Sequence, residues 1–522
     1  MIHARPGIAL LAMVAGAAAL LAPESHAQFT ADPAAPSLLA RGANDQVQPK
    51  VVPIPSGGFY MSWYDNATGG YDPVVQRFDA DGVSVWPAGV KVLDTNFSST
   101  EDYGFTMDAA GNAVIVTRSD AGGSVKIVAQ AISPSGAILW APGGVQLSAS
   151  TNVNSPKAGR AGDGAVVAGW TESSRAKLLR LNADGTPAWG AAATVTDGTA
   201  TTILSDLQPG DGGSVIAAVV RYTTFSGAKS IQAQKFSSAG AAQWASTNVR
   251  VFTTGSLQFG NFPTFLPDGE GGAIFSWYAT GPLQSWAQWV SPTGALRFGT
   301  NGASVTSTTE NERTGPTACY DPATRRVYVA FTAHVPNSSI FGTGGQAFDE
   351  SGTRLWGDAG LMCTPMETVY QHWQARVAML GGFPTFSWTR TASFGSEVAY
   401  AQSYAADAAP RWSMPSALSG TTSTGRMIFQ PGSGSPSYVL AIWENGAVGD
   451  TDIVGNRLNP DGSLGTPSVF GDLNGDSKVN GADLGIMLGD FGTPPQGSLA
   501  DLNNDGVVTG ADIGLLLGAW LP

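Results

Sequence analysis

Along most of the chain, short apolar runs alternate with Gly-rich polar turns in a repeating order. One copy reads QPKVVPIPSGGFYMSWYD followed by VVQRFDADGVSVW, another NFPTFLPDGEGGAIFSWYA followed by AQWVSPTGALRF. Each gives an apolar strand, a turn, a second strand that often carries Trp, and a third strand closed by another turn. Aligning the third strand brings Gln76, Gln130, Leu179, Gln234, Gln288, Gln346, Gln402 and Asn456 into register, at steps of 54, 49, 55, 54, 58, 56 and 54 residues. A unit of that length holds four strands, and about eight of them predict a mainly β fold of radially repeated sheets, an eight-bladed β-propeller over residues 28–466. One unit sustained from Val47 to Gly465 argues against a pair of β-sandwiches. The N-terminal residues are placed to pair with the last copy and close the ring.

The turns DADG, SPSG, NADG, SPTG, DESG and NPDG carry Gly where a hairpin needs positive φ. They are similar to the RLNADG-type repeats of large secreted bacterial proteins, a resemblance that implies a scaffold and no particular reaction. Trp63, Trp170, Trp277, Trp388 and Trp443 recur on the second strand, and Trp86, Trp140, Trp189, Trp244, Trp356 and Trp412 after the third turn. A residue repeated in nearly every unit is best explained by packing between sheets. Trp286, Trp289 and Trp373 fall outside that pattern and are the better ligand candidates.

Past Gly465 the pattern changes to a period of 3.6. Leu484, Met487, Leu488 and Phe491, then Ile513, Leu516, Leu517 and Trp520, mark i, i+3, i+4, i+7 on two helices, and these stripes are expected to pack against each other. A twelve-residue acidic loop precedes each helix, the two copies offset by 29 residues. Asp472, Asn474, Asp476, Asn480 and Asp483 occupy positions 1, 3, 5, 9 and 12 of the first, with the Lys478 carbonyl at position 7. Asp501, Asn503, Asp505, Thr509 and Asp512 do so in the second, with the Val507 carbonyl. Alternating short oxygen ligands wrap a hard cation that takes six to eight oxygens, and three carboxylates per loop offset its charge. Two calcium ions are expected, since magnesium prefers near-ideal octahedral geometry and keeps its waters.

This duplicated D-x-N-x-D loop with Asp at position 12 resembles the type I dockerin family, over residues 471–521 of a module bounded at 467–522. The resemblance implies an EF-hand-like unit, calcium-dependent folding, and docking to a cohesin-like protein in assemblies that degrade polysaccharides. Gly481-Ala482 and Gly510-Ala511 stand where many cellulosomal dockerins present Ser-Thr, and Ser477 replaces the Gly favoured at position 6.

Upstream, Arg5, an apolar run from Ile8 to Ala22 and the small residues of Ser25-His26-Ala27 read as an export signal over residues 1–27, cleaved near Ala27 to give a secreted protein. The run is shorter than a bilayer span, so no membrane segment is expected. With 67 Gly and 13% charged residues, the composition suits many short strands. The net charge of -13 and the absence of any Lys/Arg cluster speak against nucleic acid as a partner. Cys319 and Cys363 are the only cysteines, and their spacing leaves both a disulfide and two free thiols open.

The chain carries no nucleotide loop, nucleophile elbow, HExxH or CxxC, and beyond the signal only His334 and His372 supply imidazole. Propeller ligands sit where connections lead into the innermost strands. Irregular segments there are Glu101-Asp102-Tyr103, Glu310 with Glu312 and Arg313, and Tyr370 with His372 and Trp373, the last two groups being favoured because they follow each other around the ring. The leading expectation is a non-catalytic propeller that binds a glycan or protein. A polysaccharide-degrading enzyme, glycoside hydrolase or lyase, and a structural cell-surface protein are the alternatives.

Overall fold

The computed structural model describes residues 28–245, 247–258, 260–393, 396–420, 424–432, 437–466, 470–474, 478–492, 499–503 and 506–520. Residues 1–27, read from sequence as an export signal, and residues 475–477, which include Asp476 and Ser477, lie outside the described residues, as does Asp505. Eight antiparallel sheets follow one another along the chain, each ordered first to fourth strand outward. Blade 1, for instance, comprises Gln46–Pro53, Phe59–Asp65, Asp72–Phe78 and Val90–Lys91. All eight aligned positions fall on the third strand of their blades, from Gln76 on Asp72–Phe78 to Asn456 on Asp450–Leu458. First strands of neighbouring blades approach one another around the centre.

Blade 8 is built from both ends of the repeat domain. Thr424–Pro431, Val439–Ala447 and Asp450–Leu458 come from the last copy, and Ser37–Ala40 supplies the outermost strand, with Ser37 opposite Gly455 and Leu38 opposite Val454. The expected closure is therefore present. It covers the backbone of Asp450–Leu458, which would otherwise be an open edge.

Repeated residues have repeated jobs. Second strands are buried on both faces, as in Phe59–Asp65, where only Asp65 is not fully buried. Trp after the third turn reaches into the next blade: Trp86 Nε1–H donates to the Pro134 carbonyl (2.9 Å), Trp140 to Ala183 (2.9 Å), Trp189 to Ser238 (2.8 Å), Trp244 to Pro292 (3.0 Å), Trp356 to Ala406 (3.1 Å) and Trp412 to Pro460 (3.1 Å). Five of these indoles, all but Trp356, lie over the turn glycine of that blade, whereas the turn that Trp356 reaches carries Ala408 at φ +68° in its place. Phe298 takes this place against Gly352, and Phe29 against Gly82, so the N-terminal segment also provides the aromatic contact that blade 8 lacks. The register Gln binds its own turn: Gln130 Nε2 donates to the Ala141 carbonyl (3.0 Å) while its Oε1 accepts from the Trp140 amide (3.0 Å).

Gly185 illustrates two constraints at once. Its φ is +82°, and an added Cβ would come within 2.6 Å of the Trp140 ring. Gly143 has φ +81° but open space around it. Gly185→Ala is therefore expected to destabilise the propeller by about 1–3 kcal/mol more than Gly143→Ala, because it adds overpacking to the shared backbone strain. Urea unfolding of the two variants measures the difference.

Blade 5 breaks the pattern. Its first strand is split into Ser256–Leu257 and Phe265–Pro267, both paired with Ala273–Thr280, and the intervening loop carries Gly260, Asn261 and Phe262. Elsewhere the leading ends of the first strands bulge, between Val47 and Lys50, Asn154 and Lys157, and Trp373 and Arg376, with Gln48, Ser155 and Gln374 at positive φ. Cys319 and Cys363 are free thiols; burial raises the pKa of both, that of Cys363 to about 12.

The C-terminal module has helices α1, Gly481–Gly489, and α2, Gly510–Gly518. Val479, Met487, Ala500, Val508 and Leu516 form its core. The stripes pack only in part. Met487 and Leu516 are buried and Leu484 and Ile513 are half-buried, but Leu488, Phe491, Leu517 and Trp520 are exposed. A nine-residue helix makes only two and a half turns, and the narrow face it buries runs through Asp483 and Met487, or Asp512 and Leu516, so side chains one position on fall outside it.

Candidate functional site

Each helix of the C-terminal module begins with a reciprocal cap. The Asn480 side chain accepts from the Ala482 amide (2.9 Å), and Asp483 Oδ2 accepts from the Asn480 amide (2.9 Å); Thr509 and Asp512 repeat the arrangement. The position-12 carboxylates also reach back under the loops. Asp483 Oδ1 accepts from the amides of Leu473 (2.8 Å) and Asn474 (3.2 Å), and Asp512 Oδ1 from that of Asn503 (3.1 Å). Burial would raise the Asp483 pKa, but its backbone amides outweigh that and lower it; the Thr509 amide foremost lowers that of Asp512. In the second loop Asp501 Oδ2 accepts from the Gly506 amide (2.7 Å), with Gly506 at φ +92° making the sharp turn at position 6. Hydrogen bonds thus tie position 1 to position 6 and position 3 to position 12. The chemistry of the described donors, carboxylates and amide oxygens, fits a hard cation such as calcium.

On the propeller, a cleft of about 410 Å³ opens at the leading ends of the first strands, between blades 2 and 5. Ile203, Leu204 and Val220 belong to its walls, together with Tyr222. Phe225, from the hairpin between Val215–Tyr222 and Ser230–Phe236, and Phe262, from the loop that splits blade 5, are 69% and 45% exposed at its rim. Polar groups of the cleft include Asn154, Asn261, Lys229, Glu101 and Asp102.

Charges in this cleft are matched internally. Asp102 lies between Lys50 Nζ (2.6 Å) and Lys157 Nζ. Burial opposes its ionisation, but the two lysines hold its carboxyl well below the usual carboxylate range. Glu101 pairs with Arg118, although burial still raises its pKa. Lys229 Nζ donates to the carbonyls of Phe225 (3.0 Å) and Gly227 (3.2 Å). Tyr103, fully buried, is bound through its hydroxyl to Ser62 (2.8 Å) and the Gln48 carbonyl (2.9 Å), which makes it a strut between blades.

The two groups favoured from sequence meet at blades 6 and 7. Glu312 Oε2 lies 2.9 Å from His334 Nδ1, His334 stacks on Phe341 (4.3 Å), and Phe341 packs against Trp373 (4.9 Å). Burial opposes charge on His334, but the Ser338 carbonyl and Glu312 outweigh it and raise the imidazole pKa. His372 is buried with Nε2 2.9 Å from Glu367, and burial lowers its pKa. Arg313 is buried too, its guanidinium donating to the carbonyls of Thr308 (3.0 Å) and Asn311 (2.7 Å), so it fastens the turn before its own strand. Glu310 is exposed nearby, and Tyr370 stacks under the Arg390 guanidinium (4.3 Å).

Of the three irregular tryptophans, Trp373 is 42% exposed, Trp286 is half-buried and Trp289 is fully buried. Trp289 Nε1–H donates to Asp268 (2.8 Å), and Arg297 and Arg325 cover its ring. It packs the interior and offers no platform. Sequence reasoning missed Tyr222, Phe225, Asn261 and Phe262. The available signal was the GNFP sequence that interrupts the first strand of blade 5 and the Phe set in the polar hairpin YTTFSGAK.

Two loop-helix units closing on buried acidic side chains define a module of the EF-hand-like class. Its family is narrower: residues 470–517 match the model of the dockerin type I domain, a calcium-binding, cohesin-binding unit of extracellular proteins. No curated protein matches the chain. Among solved structures, a polysaccharide lyase described as an ulvan lyase is 10% identical, with a TM-score of 0.45 over 82% of this chain and 98% of that one. A protein of unknown function from Dyadobacter fermentans is 10% identical (TM-score 0.37, 80% and 96% covered), and the Dos1 propeller 9% identical (TM-score 0.43, 81% and 95% covered). At these values nothing of their chemistry carries over. Among the described residues no helix is long and apolar enough to cross a membrane.

Proposed function

We propose that this chain is a secreted, non-catalytic binding component of extracellular polysaccharide breakdown, docked to a cohesin through its calcium-dependent C-terminal module and holding a glycan in the cleft of blades 2–5. Two calcium ions would be held by Asp472, Asn474, Asp476, Asn480, Asp483 and the Lys478 carbonyl, and by Asp501, Asn503, Asp505, Thr509, Asp512 and the Val507 carbonyl. The ion would supply the positive charge that lets these carboxylates share one loop.

One observation carries the propeller reading: the cleft exposes aromatic faces while its carboxylates are tied to basic side chains. A general acid must hold a proton within reach of the leaving oxygen; Asp102 is kept ionised by two lysines, and Glu101, although burial raises its pKa, is engaged by the Arg118 guanidinium. Aromatic faces beside amides and hydroxyls suit a sugar ring, whose C–H face rests on the π-cloud while its hydroxyls bond at the edge. Full-length protein is expected to bind at least one of cellohexaose, xylohexaose and mannohexaose without cleaving it. Replacing both Phe225 and Phe262 by Ala should weaken that binding about tenfold or more. Calorimetry and product chromatography test this. Released products would place the chain among polysaccharide-degrading enzymes, and undiminished binding would remove the cleft from the account.

A further inference from the structure

A second concave surface lies on blade 7, apart from the cleft of blades 2–5. Strands Gln371–Leu380, Phe383–Thr391 and Glu397–Ser403 pair there with Gln371 opposite Thr391, Trp373 opposite Thr389, and Thr391 opposite Glu397. Directly opposed residues share a face of a sheet, so these five side chains form one patch by register alone. They line a cleft of about 520 Å³ together with Gln374 and Ser393. Its most exposed large apolar group is Trp373.

Among the described tryptophans of the propeller, no other is as exposed. Trp63, Trp170, Trp277, Trp388 and Trp443 are all buried to 6% exposure or less, and Trp289 entirely. Trp373 is nonetheless held firmly. Phe341 packs against it, His334 stacks on Phe341 with an interplanar angle of 16°, and His334 is fixed by Glu312 on one side and the Ser338 carbonyl (2.9 Å) on the other. Thr389 Oγ1 donates to the Trp373 carbonyl (3.2 Å), and Gln374 is locked to blade 8 through the Gly425 carbonyl (2.7 Å) and the Met427 amide (2.8 Å). An indole braced in this way loses little freedom when a ligand lands on it.

The surroundings select the ligand. A purely apolar molecule would strip water from a wall that carries the Gln371 amide, the Thr391 hydroxyl and the Glu397 carboxylate, and a phosphate-bearing one would meet Glu397 in a chain of net charge -13. A pyranose ring offers a C–H face to the indole and a girdle of hydroxyls to the polar wall. We propose that Trp373, with Gln371, Thr391 and Glu397, forms a second saccharide-binding site on blade 7. It stands independently of the cleft that holds Phe225 and Phe262.

The test uses the full chain with calcium, first with both Phe225 and Phe262 replaced by Ala, so that remaining binding belongs to blade 7. Titration calorimetry with cellohexaose, xylohexaose and mannohexaose should show residual binding to at least one. Adding Trp373→Ala should abolish it or weaken it at least about tenfold, and Trp373→Tyr, which keeps an aromatic face, should restore most of it. Rescue by Tyr separates a stacking platform from a merely structural Trp. Absence of residual binding to all three probes, or binding that survives Trp373→Ala, overturns the second site. Loss of all wild-type binding on replacing the two phenylalanines alone would uphold the first cleft and reject this one. Loss of all of it on Trp373→Ala alone would do the reverse.

Discussion

Chelation with EDTA is expected to unfold the C-terminal module and leave the propeller folded. Among its described residues the module buries the apolar side chains of Val479, Met487, Ala500, Val508 and Leu516 at its centre, and about 50 residues around so small a core do not usually fold without a metal, a disulfide or a partner. From residue 467 onward seven Asp face one Lys, so removing the cation leaves a net -6 concentrated in a tenth of the chain. The capping boxes of α1 and α2 are each worth about 1 kcal/mol, too little to hold nine-residue helices against that repulsion. Calorimetry of the whole chain should therefore show a calcium-dependent transition that disappears with EDTA. The propeller transition should stay where it is. Asp512→Ala should reproduce half of the effect, since it removes a cap and a proposed ligand from one loop only.

Deleting residues 28–41 is expected to cost more than any single substitution in the propeller. Three contributions vanish together. Ser37–Ala40 no longer covers Asp450–Leu458, which becomes an open edge able to pair with another chain. Leu39 and Ala40 leave a core shared with blade 1. Phe29, 3% exposed and stacked toward Phe59 (6.2 Å), no longer fills the place over Gly82 that a Trp fills elsewhere. Phe29→Ala alone should destabilise by about 3–5 kcal/mol. The truncated protein should aggregate or elute as mixed oligomers on size exclusion, whereas a monomer with an unchanged urea midpoint would show that the ring does not depend on this closure.

The architecture was legible because each blade repeats the same solutions. Gln130 and its equivalents marked the third strand correctly because their amides hold the adjoining turn, a local requirement that sequence records. Trp140 and its equivalents were readable as packing for the same reason. Blade 3, where Leu179 replaces Gln, still aligned, since strand length and turn spacing carry the register without that amide.

Exposure was less legible than position. Trp289 and Trp373 look alike as departures from the repeat, yet one is enclosed by Arg297, Arg325 and Asp268 and the other faces outward. Which neighbours come to cover a residue depends on blades distant in sequence. Arg313 and His372 suffered similarly, since polar residues near the mouth can fasten loops as well as meet ligands. The Phe225 and Phe262 rim escaped notice because its two residues come from different blades and gain meaning only side by side. In the last module the helical period was right, but it overstated burial, because short helices cover a narrower stripe than four apolar positions suggest.

The measurement that bears most directly on the account is retention of the full-length protein on immobilised type I cohesins, with a labelled hexasaccharide of the cello, xylo or manno series added afterwards. With calcium present, the protein should be retained by at least one cohesin and should hold the sugar there intact; EDTA should release both together. Retention that ignores EDTA, or failure of every cohesin to hold the protein with calcium present, would contradict a calcium-organised docking module joined to a binding propeller.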